Sequence, residues 1–414
     1  MTIKANSSFG LRATFTAVAA ASMLTLAAGQ AHAQISDDAV RIGVMADISG
    51  PYSGNGGPGS VLAARMAVED FGNTVAGKKI EILSVDDQNK PDVGLNAARK
   101  WLDTDKVDTI VGGSASSIAF GVQTLMKERQ KPYLIAGTVS ADLTGKACSP
   151  MGIQFLVDTY SLPKAGVQLL INKGIKDFFF ITVDYAFGTA LETEATRFVK
   201  AAGGKVVGSV RHPLGATDYS SYLLQAQASG AKAIVILNAG LDLSNSLKQA
   251  AEFRISRGGQ AISVFGMTIN SVTAMGLDTA AGLHITVPFY WDQDEATRAW
   301  SKRFMERNNG VVPTYIQAGV YSAVTHYLKA VKATNTDAGP AVMAKMKATP
   351  VNDFMTKNAP IREDGQVMRA VYPVQVKTAA ESKYKYDYYK VGAAIPAEQI
   401  FRPLSEGGCD FIKK

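Results

Sequence analysis

The chain has 414 residues, 47% of them hydrophobic, and carries 43 Lys and Arg against 36 Asp and Glu, a formal charge of +7. That length accommodates two cored domains at the usual ~100–200 residues each, and the mild positive charge is spread out, with no basic block interleaved with aromatics that would suit nucleic acid. Two cysteines and four histidines, none at metal-ligand spacing, argue against a transition-metal centre or a C-x-x-C redox site.

The first 33 residues have the form of a secretory signal. Lys4 and Arg12 make a basic start, residues 13–28 are apolar and small, and Ala31-His32-Ala33 is a cleavage site before Gln34. The apolar run is too short for a membrane anchor, and removing residues 1–33 takes away two cations and no acid, leaving +5. No later stretch spans a bilayer, so the mature chain is expected to be soluble and exported to the periplasm. In an oxidising compartment Cys148 and Cys409 are expected to pair as a structural disulfide, tying the C-terminal tail to the first lobe or its edge.

Strand-like runs follow at 40–47, 79–85, 109–113, 133–137, 178–184, 205–210, 233–240, 263–267 and 284–291. Helical patterns lie among them at 61–71, 96–103, 119–129, 191–202, 220–230 and 243–253. This alternation predicts an α/β fold with parallel-rich sheets covered by helices on both faces. The series falls into two similar halves separated by a polar stretch at 138–160. Helical segments at 295–310 and 318–333 then come without strands, as though returning to cover an existing sheet, and the Tyr-rich runs 371–377 and 384–391 suit edge strands. Two such lobes leave a cleft facing the carboxyl ends of their strands, where these folds bind small ligands.

The loops after the strands hold the candidate site. Gly54, Gly56 and Gly59 have the G-x-G-x-x-G spacing, but Gly54 lies seven residues past Asp47 and Pro58 interrupts the motif, so a dinucleotide fingerprint is not expected; a loop carrying Tyr52 at the mouth of a cleft is. Ser114, Ser116 and Ser117 lead into a helix whose positive end is a receptor for a carboxylate; an ordinary N-cap accounts for Ser116 or Ser117 singly but less well for the cluster. Gly137, Thr138 and Ser140 offer further backbone and hydroxyl groups, with a plain turn as the alternative. Tyr185 and Phe187 sit at a helix start in the second half. No G-x-S-x-G elbow, Walker loop or Ser–His arrangement is present.

Those residues carry a family resemblance. From about residue 39 to its end the chain resembles the periplasmic solute-binding proteins of ABC transporters of the leucine/isoleucine/valine-binding type, through RIGVMADISGPYSGNGGPGSVLAARMAVEDFG, VDDQNKPDVGLNAARKWLD, IVGGSASS, SADLTG, VDYAFGTALE and YWDQDEATRAWSKRFMERN. The resemblance implies two Rossmann-like lobes joined by a multi-crossover hinge, here 34–157 with 285–365, and 158–284 with 366–414. It implies a monomer that closes on a solute and delivers it to a membrane permease, with no cofactor and no metal. By position, Ser116 and neighbouring N–H groups would hold the ligand carboxylate, Thr138 or Ser140 would assist, Tyr185 would close over the ligand and Tyr52 would guard the mouth.

Two positions depart from the amino-acid binders of that family. An acid and a tyrosine that hold the ligand's ammonium and close the pocket correspond to Thr268 and Ala239. A buried ammonium without a carboxylate is costly, so Asp242 or Asp184 would have to substitute, although Asp242 is equally placed to cap a helix. The aromatic candidates Tyr52, Tyr185, Phe187, Phe289 and Tyr290 instead suit a flat aromatic acid, which is the slightly preferred ligand; a branched-chain amino acid or amide is the alternative. A hydrolase using a loop serine and a ligand-sensing module are the rivals from other classes.

Overall fold

The computed structural model describes residues 1–4 and 35–412, so the candidate export signal lies almost wholly outside the described residues. In chain order the first half runs β1 (Ala39–Ala46), α1 (Gly57–Phe71), β2 (Thr74–Val75), β3 (Lys78–Asp86), α2 (Pro91–Asp103), β4 (Thr109–Gly112), α3 (Ser116–Glu128), β5 (Tyr133–Ile135) and β6 (Gly152–Gln154). The second runs α4 (Ser161–Asn172), β7 (Asp177–Val183), α5 (Ala186–Ala201), β8 (Lys205–His212), α6 (Ser220–Ala228), β9 (Ala233–Leu237), α7 (Gly240–Glu252), β10 (Ala261–Val264), α8 (Ile269–Met275) and α9 (Leu277–Ala280). Then come β11 (His284–Val287), α10 (Glu295–Arg307), α11 (Tyr315–Thr334), α12 (Gly339–Ala348), β12 (Tyr372–Val376), β13 (Tyr389–Val391) and α13 (Ala397–Ile400).

The strands form a sheet of order β2-β3-β1-β4-β5-β6, parallel except for β2, and a parallel sheet β10-β9-β7-β8. Central strands are buried on both faces, as β4 and β9 are throughout, whereas the edge strand β8 alternates exposed and covered residues; this is why the former read as continuous apolar runs and the latter as alternation. One face of the first sheet packs on α2 and α3 through Trp101, Ile118, Val122 and Tyr133. Its other face is covered by α1 and the returning α11, which pack on each other. The strandless stretch after β11 therefore does return to cover the first sheet.

The Tyr-rich tail forms two strands, of which β13 lies at a sheet edge and β12 is central. β12 and β13 join β11 in an antiparallel sheet of their own. β11 is paired along its whole length with β12, and the chain leaves this three-stranded sheet after Val287. Cys148 and Cys409 are disulfide-bonded across a separation of 261 residues. No helix among the described residues is long and apolar enough to cross a membrane.

Candidate functional site

The carboxyl ends of six strands, three from each parallel sheet, converge on one cavity of about 770 Å³ of atom-free space, its open mouth included. After β1 come Asp47 and Tyr52, after β4 Ser114 and Ser116, after β5 Gly137 and Thr138; from the second sheet come Tyr185 and Phe187, Ala239 and Gly240, and Met267 and Thr268. Leu162 of α4, Tyr315 and Ile316 of α11, Ser60 of α1 and Ser271 of α8 add to the wall.

One corner suits an anion. α3 begins at Ser116, and its N-cap is Ala115 in an extended conformation with no side-chain cap, so neither Ser116 nor Ser117 is consumed in capping. The first amides of α3 have no intrahelical acceptor and meet the positive end of the helix. The Ser116 hydroxyl is buried and lies 3.4 Å from that of Thr138, a separation longer than a good O–H···O bond. Ser114 is different: its hydroxyl donates to Asp87 at 2.5 Å and its N–H to the same carboxylate at 3.1 Å. Its hydroxyl proton is thus committed to a buried acid. Burial pushes the Asp87 carboxyl up, against the pull of the Ser114 donors and the Asn89 N–H.

The opposite wall comes from the glycine-containing loop after β1. Asp47 accepts from the N–H groups of Gly50 (2.6 Å) and Tyr52 (2.7 Å) and so folds the loop back over the cavity. Burial pushes the Asp47 carboxyl up, those two N–H groups oppose it, and neighbouring Asp87 and Asp86 add to the rise. The loop then bonds to the second lobe: the Tyr52 and Tyr185 hydroxyls are 2.8 Å apart, Leu241 N–H donates to Pro51 O at 3.1 Å, Thr268 Oγ1 to Asn55 Oδ1 at 3.0 Å, and Asn270 Nδ2 to Gly54 O at 2.9 Å. Burial raises both phenols further above neutral pH, so they meet as neutral donors and acceptors. On its own side the loop is held by Thr314 Oγ1 on Asn55 O (2.6 Å) and Gln317 Nε2 on Gly56 O (2.9 Å). The stretch 51–55 thus bridges the cleft as a latch.

Several expected residues lie elsewhere. Ser140 is buried outside the cavity lining, its carbonyl accepting from Leu143 N–H in a short turn. Ser117 is half-buried and also outside the lining. Asp242 lies in the first turn of α7 but does not cap it; its carboxylate is fully buried and accepts from Gly215 N–H at 3.1 and 3.2 Å, which anchors a loop rather than a ligand. Asp184 is mostly exposed and pairs with Arg211 at 3.3 Å. Tyr290 is outside the cavity too: the strand ends at Val287, and the ring packs on Tyr389 while its hydroxyl donates to Tyr386 O at 3.0 Å. Phe289 is core against Trp300 and Phe354.

Leu162, Met267, Tyr315 and Ile316 also line the wall, beyond the residues expected from the loops. The last pair had a signal, since Thr314-x-x-Gln317 forms a capping box that fixes where α11 begins. Leu162 had none, because its helix, α4, begins at Ser161, directly after the polar stretch 138–160, and its segment is not among the helical patterns expected from the sequence. The described lining residues contain no histidine, lysine or arginine, so Ser116 has no basic side chain beside it to act as a general base. Among the described residues no group of His, Cys, Asp and Glu is arranged to hold a metal ion.

Residues 39–382 match a family model described as periplasmic binding protein. The chain is similar to a periplasmic binding protein of Burkholderia mallei of known structure, with 42% identity, a TM-score of 0.89, and coverage of 91% of this chain and 100% of that one. A branched chain amino acid ABC transporter periplasmic ligand-binding protein of Burkholderia xenovorans LB400 shares 38% identity with a TM-score of 0.80, over 90% of this chain and 99% of that one. Among curated sequences, Leu/Ile/Val-binding protein homolog 6 of Brucella abortus is 23% identical over 383 residues, 89% of this chain and 94% of the relative.

Proposed function

The chain belongs to the periplasmic binding protein family, and from that premise we propose that it is the non-catalytic receptor of an ABC importer, capturing one small carboxylated solute by lobe closure and presenting it to a membrane permease. The observation that carries this is the corner at α3: two buried hydroxyls, Ser116 and Thr138, long apart and facing a cavity together with unpaired helix amides. Hinge closure then completes the cage from the second lobe. The working form is a monomer in the periplasm, freed of residues 1–33. Its lobes comprise 34–157 with 288–365 and 158–287 with 366–414, the second crossing being placed after β11 because that strand pairs along its whole length with β12.

An aromatic acid is the preferred solute. Tyr52, Tyr185, Phe187 and Tyr315 line the cavity with Leu162, Met267 and Ile316, a wall that favours a flat apolar body over a short aliphatic one. A second reading, an amino acid, is favoured by one observation: Asp47 is the sole ionisable acid in the described lining, and its charge suits an ammonium better than a second anion. The deciding experiment is a thermal-shift screen of the mature protein against aromatic acids, amino acids and their amides, because a solute that binds the folded state raises the melting temperature with concentration. No response to any carboxylate, with a response to uncharged solutes, would overturn the anion corner.

A further inference from the structure

The C-terminal tail does not end on the lobe it comes from. α13 packs against α4 of the second lobe. Residues 401–409 then run back to the first lobe, where Arg402 Nη2 donates to Ala141 O at 2.7 Å and Cys409 is bonded to Cys148. On the way the segment touches the third crossing, Arg362 Nη1 donating to Arg402 O at 2.7 Å. It touches the second lobe again through Glu406, which lies 3.6 Å from Arg197 of α5. Arg197 is itself seated over Tyr160, at the end of the first crossing, with 4.9 Å from its guanidinium carbon to the ring centroid.

We propose that residues 401–409, closed by the Cys148–Cys409 disulfide, form a strap beside the hinge that limits how far the lobes swing apart. The inference rests on the lobe-closure reading above. Three crossings, each able to rotate about its backbone dihedrals, permit both bending and twisting. A fourth connection, fixed on α4 at one end and covalently on the first lobe at the other, lets the lobes separate only by the slack between these anchors. The Arg197–Glu406 pair is half-exposed on both sides and holds weakly, so it yields during opening while the disulfide does not. A narrower open ensemble leaves less to be ordered on closure, which tightens solute binding without any contact to the solute.

The test places spin labels, carried by unnatural amino acids, at Asp92 on α2 and Lys248 on α7, both exposed, and measures their distance distribution in the absence of solute. The strap predicts that Cys148→Ser with Cys409→Ser adds a population at distances longer than any in the wild type. Wild-type protein folded first and then reduced should show the same population, which carries the test should the double variant not fold. Glu406→Gln should broaden the distribution less and in the same direction. Superimposable distributions for oxidised and reduced protein overturn the strap, even if melting temperature falls, since a purely stabilising disulfide lowers melting without changing lobe separation. A single narrow distance that neither reduction nor a solute found in the screen alters overturns lobe closure itself, and the strap with it.

Discussion

Ser114 and Ser116 stand two residues apart at the entry to α3 and differ in what their hydroxyls are free to do. The Ser116 hydroxyl has only a long contact to Thr138, so Ser116→Ala should cost a charge-assisted hydrogen bond, about 1.5–3 kcal/mol, seen in titration calorimetry as a Kd weakened roughly ten- to hundredfold with melting unchanged. Ser114→Ala removes a donor from the buried Asp87 carboxylate, so it should lower unfolding free energy by about 1–3 kcal/mol and change affinity little; the reverse pattern would move the anion corner to Ser114. Tyr185→Ala combined with Ser116→Ala should abolish measurable binding while leaving the fold intact. Asp47 separates the two solute classes. Burial works against its charged form, and Asn keeps an acceptor for the Gly50 or Tyr52 N–H, so Asp47→Asn should fold. An amino acid held through its ammonium would bind at least about tenfold more weakly to that variant; an aromatic acid would bind equally or more tightly, having lost a neighbouring negative charge.

At the scale of elements, the loop from Asp47 to Gly57 is where local pattern and tertiary role diverge most. Its G-x-G-x-x-G spacing would make all three glycines indispensable in a phosphate cradle, yet a side chain added at Gly54 meets nothing within 4 Å, whereas one at Gly59 would lie 2.2 Å from Gln317 Nε2 and 3.1 Å from Phe304. Gly54→Ala should therefore leave stability within about 0.5 kcal/mol of wild type, and Gly59→Ala should destabilise the α1–α11 packing by about 1–3 kcal/mol, both measurable by urea denaturation. Gly240 faces this loop from the other lobe. Its φ is +61°, and a Cβ there would sit 2.5 Å from both Pro51 O and Tyr52 Cδ1, so Gly240→Ala should lose about 1–2 kcal/mol to the left-handed backbone and far more in affinity, because the latch no longer seats. Equal losses in stability and affinity would remove Gly240 from the closing contact. The element pattern itself was largely legible: buried strands gave apolar runs and helices gave their periodicity. Helix starts were missed by three to five residues at α1, α2, α3, α5, α7 and α11, because first turns such as Gly57-Pro58-Gly59 and Ser116-Ser117 are small and polar. Tyr290 was misplaced for a related reason: the run HITVPFYW reads as one strand, but Pro288 cannot donate to a ladder, and the aromatics after it turn into the crossing.

The molecule as a whole was legible where its signal is repetitive and obscure where it is not. Strand–helix alternation announces two parallel sheets many times over. The cavity wall, by contrast, takes a few residues from each of six strand ends, spread from Met45 to Ile316, and no local pattern distinguishes Leu162, which lines it, from Phe289, which does not. The disulfide is the exception among long-range features, since two cysteines in an exported chain admit one intramolecular pairing. It joins positions 261 residues apart, and the chain-entropy view gives about 5 kcal/mol for closing loops of more than 100 residues, against the 2–5 kcal/mol usually lost when a native disulfide is removed. Cys148→Ser with Cys409→Ser should therefore lower unfolding free energy in urea by about 2–5 kcal/mol, with a steeper denaturant dependence because the released chain expands. The alternative has its own signature: if the tail peels from Ala141 and Arg362 before either lobe unfolds, the crosslink constrains a chain end rather than the unfolding unit, and the loss falls below about 1 kcal/mol with an unchanged slope. The half-buried Arg402 contacts and the packing of α13 on α4 favour the first outcome, in which the tail unfolds only with the lobes it joins.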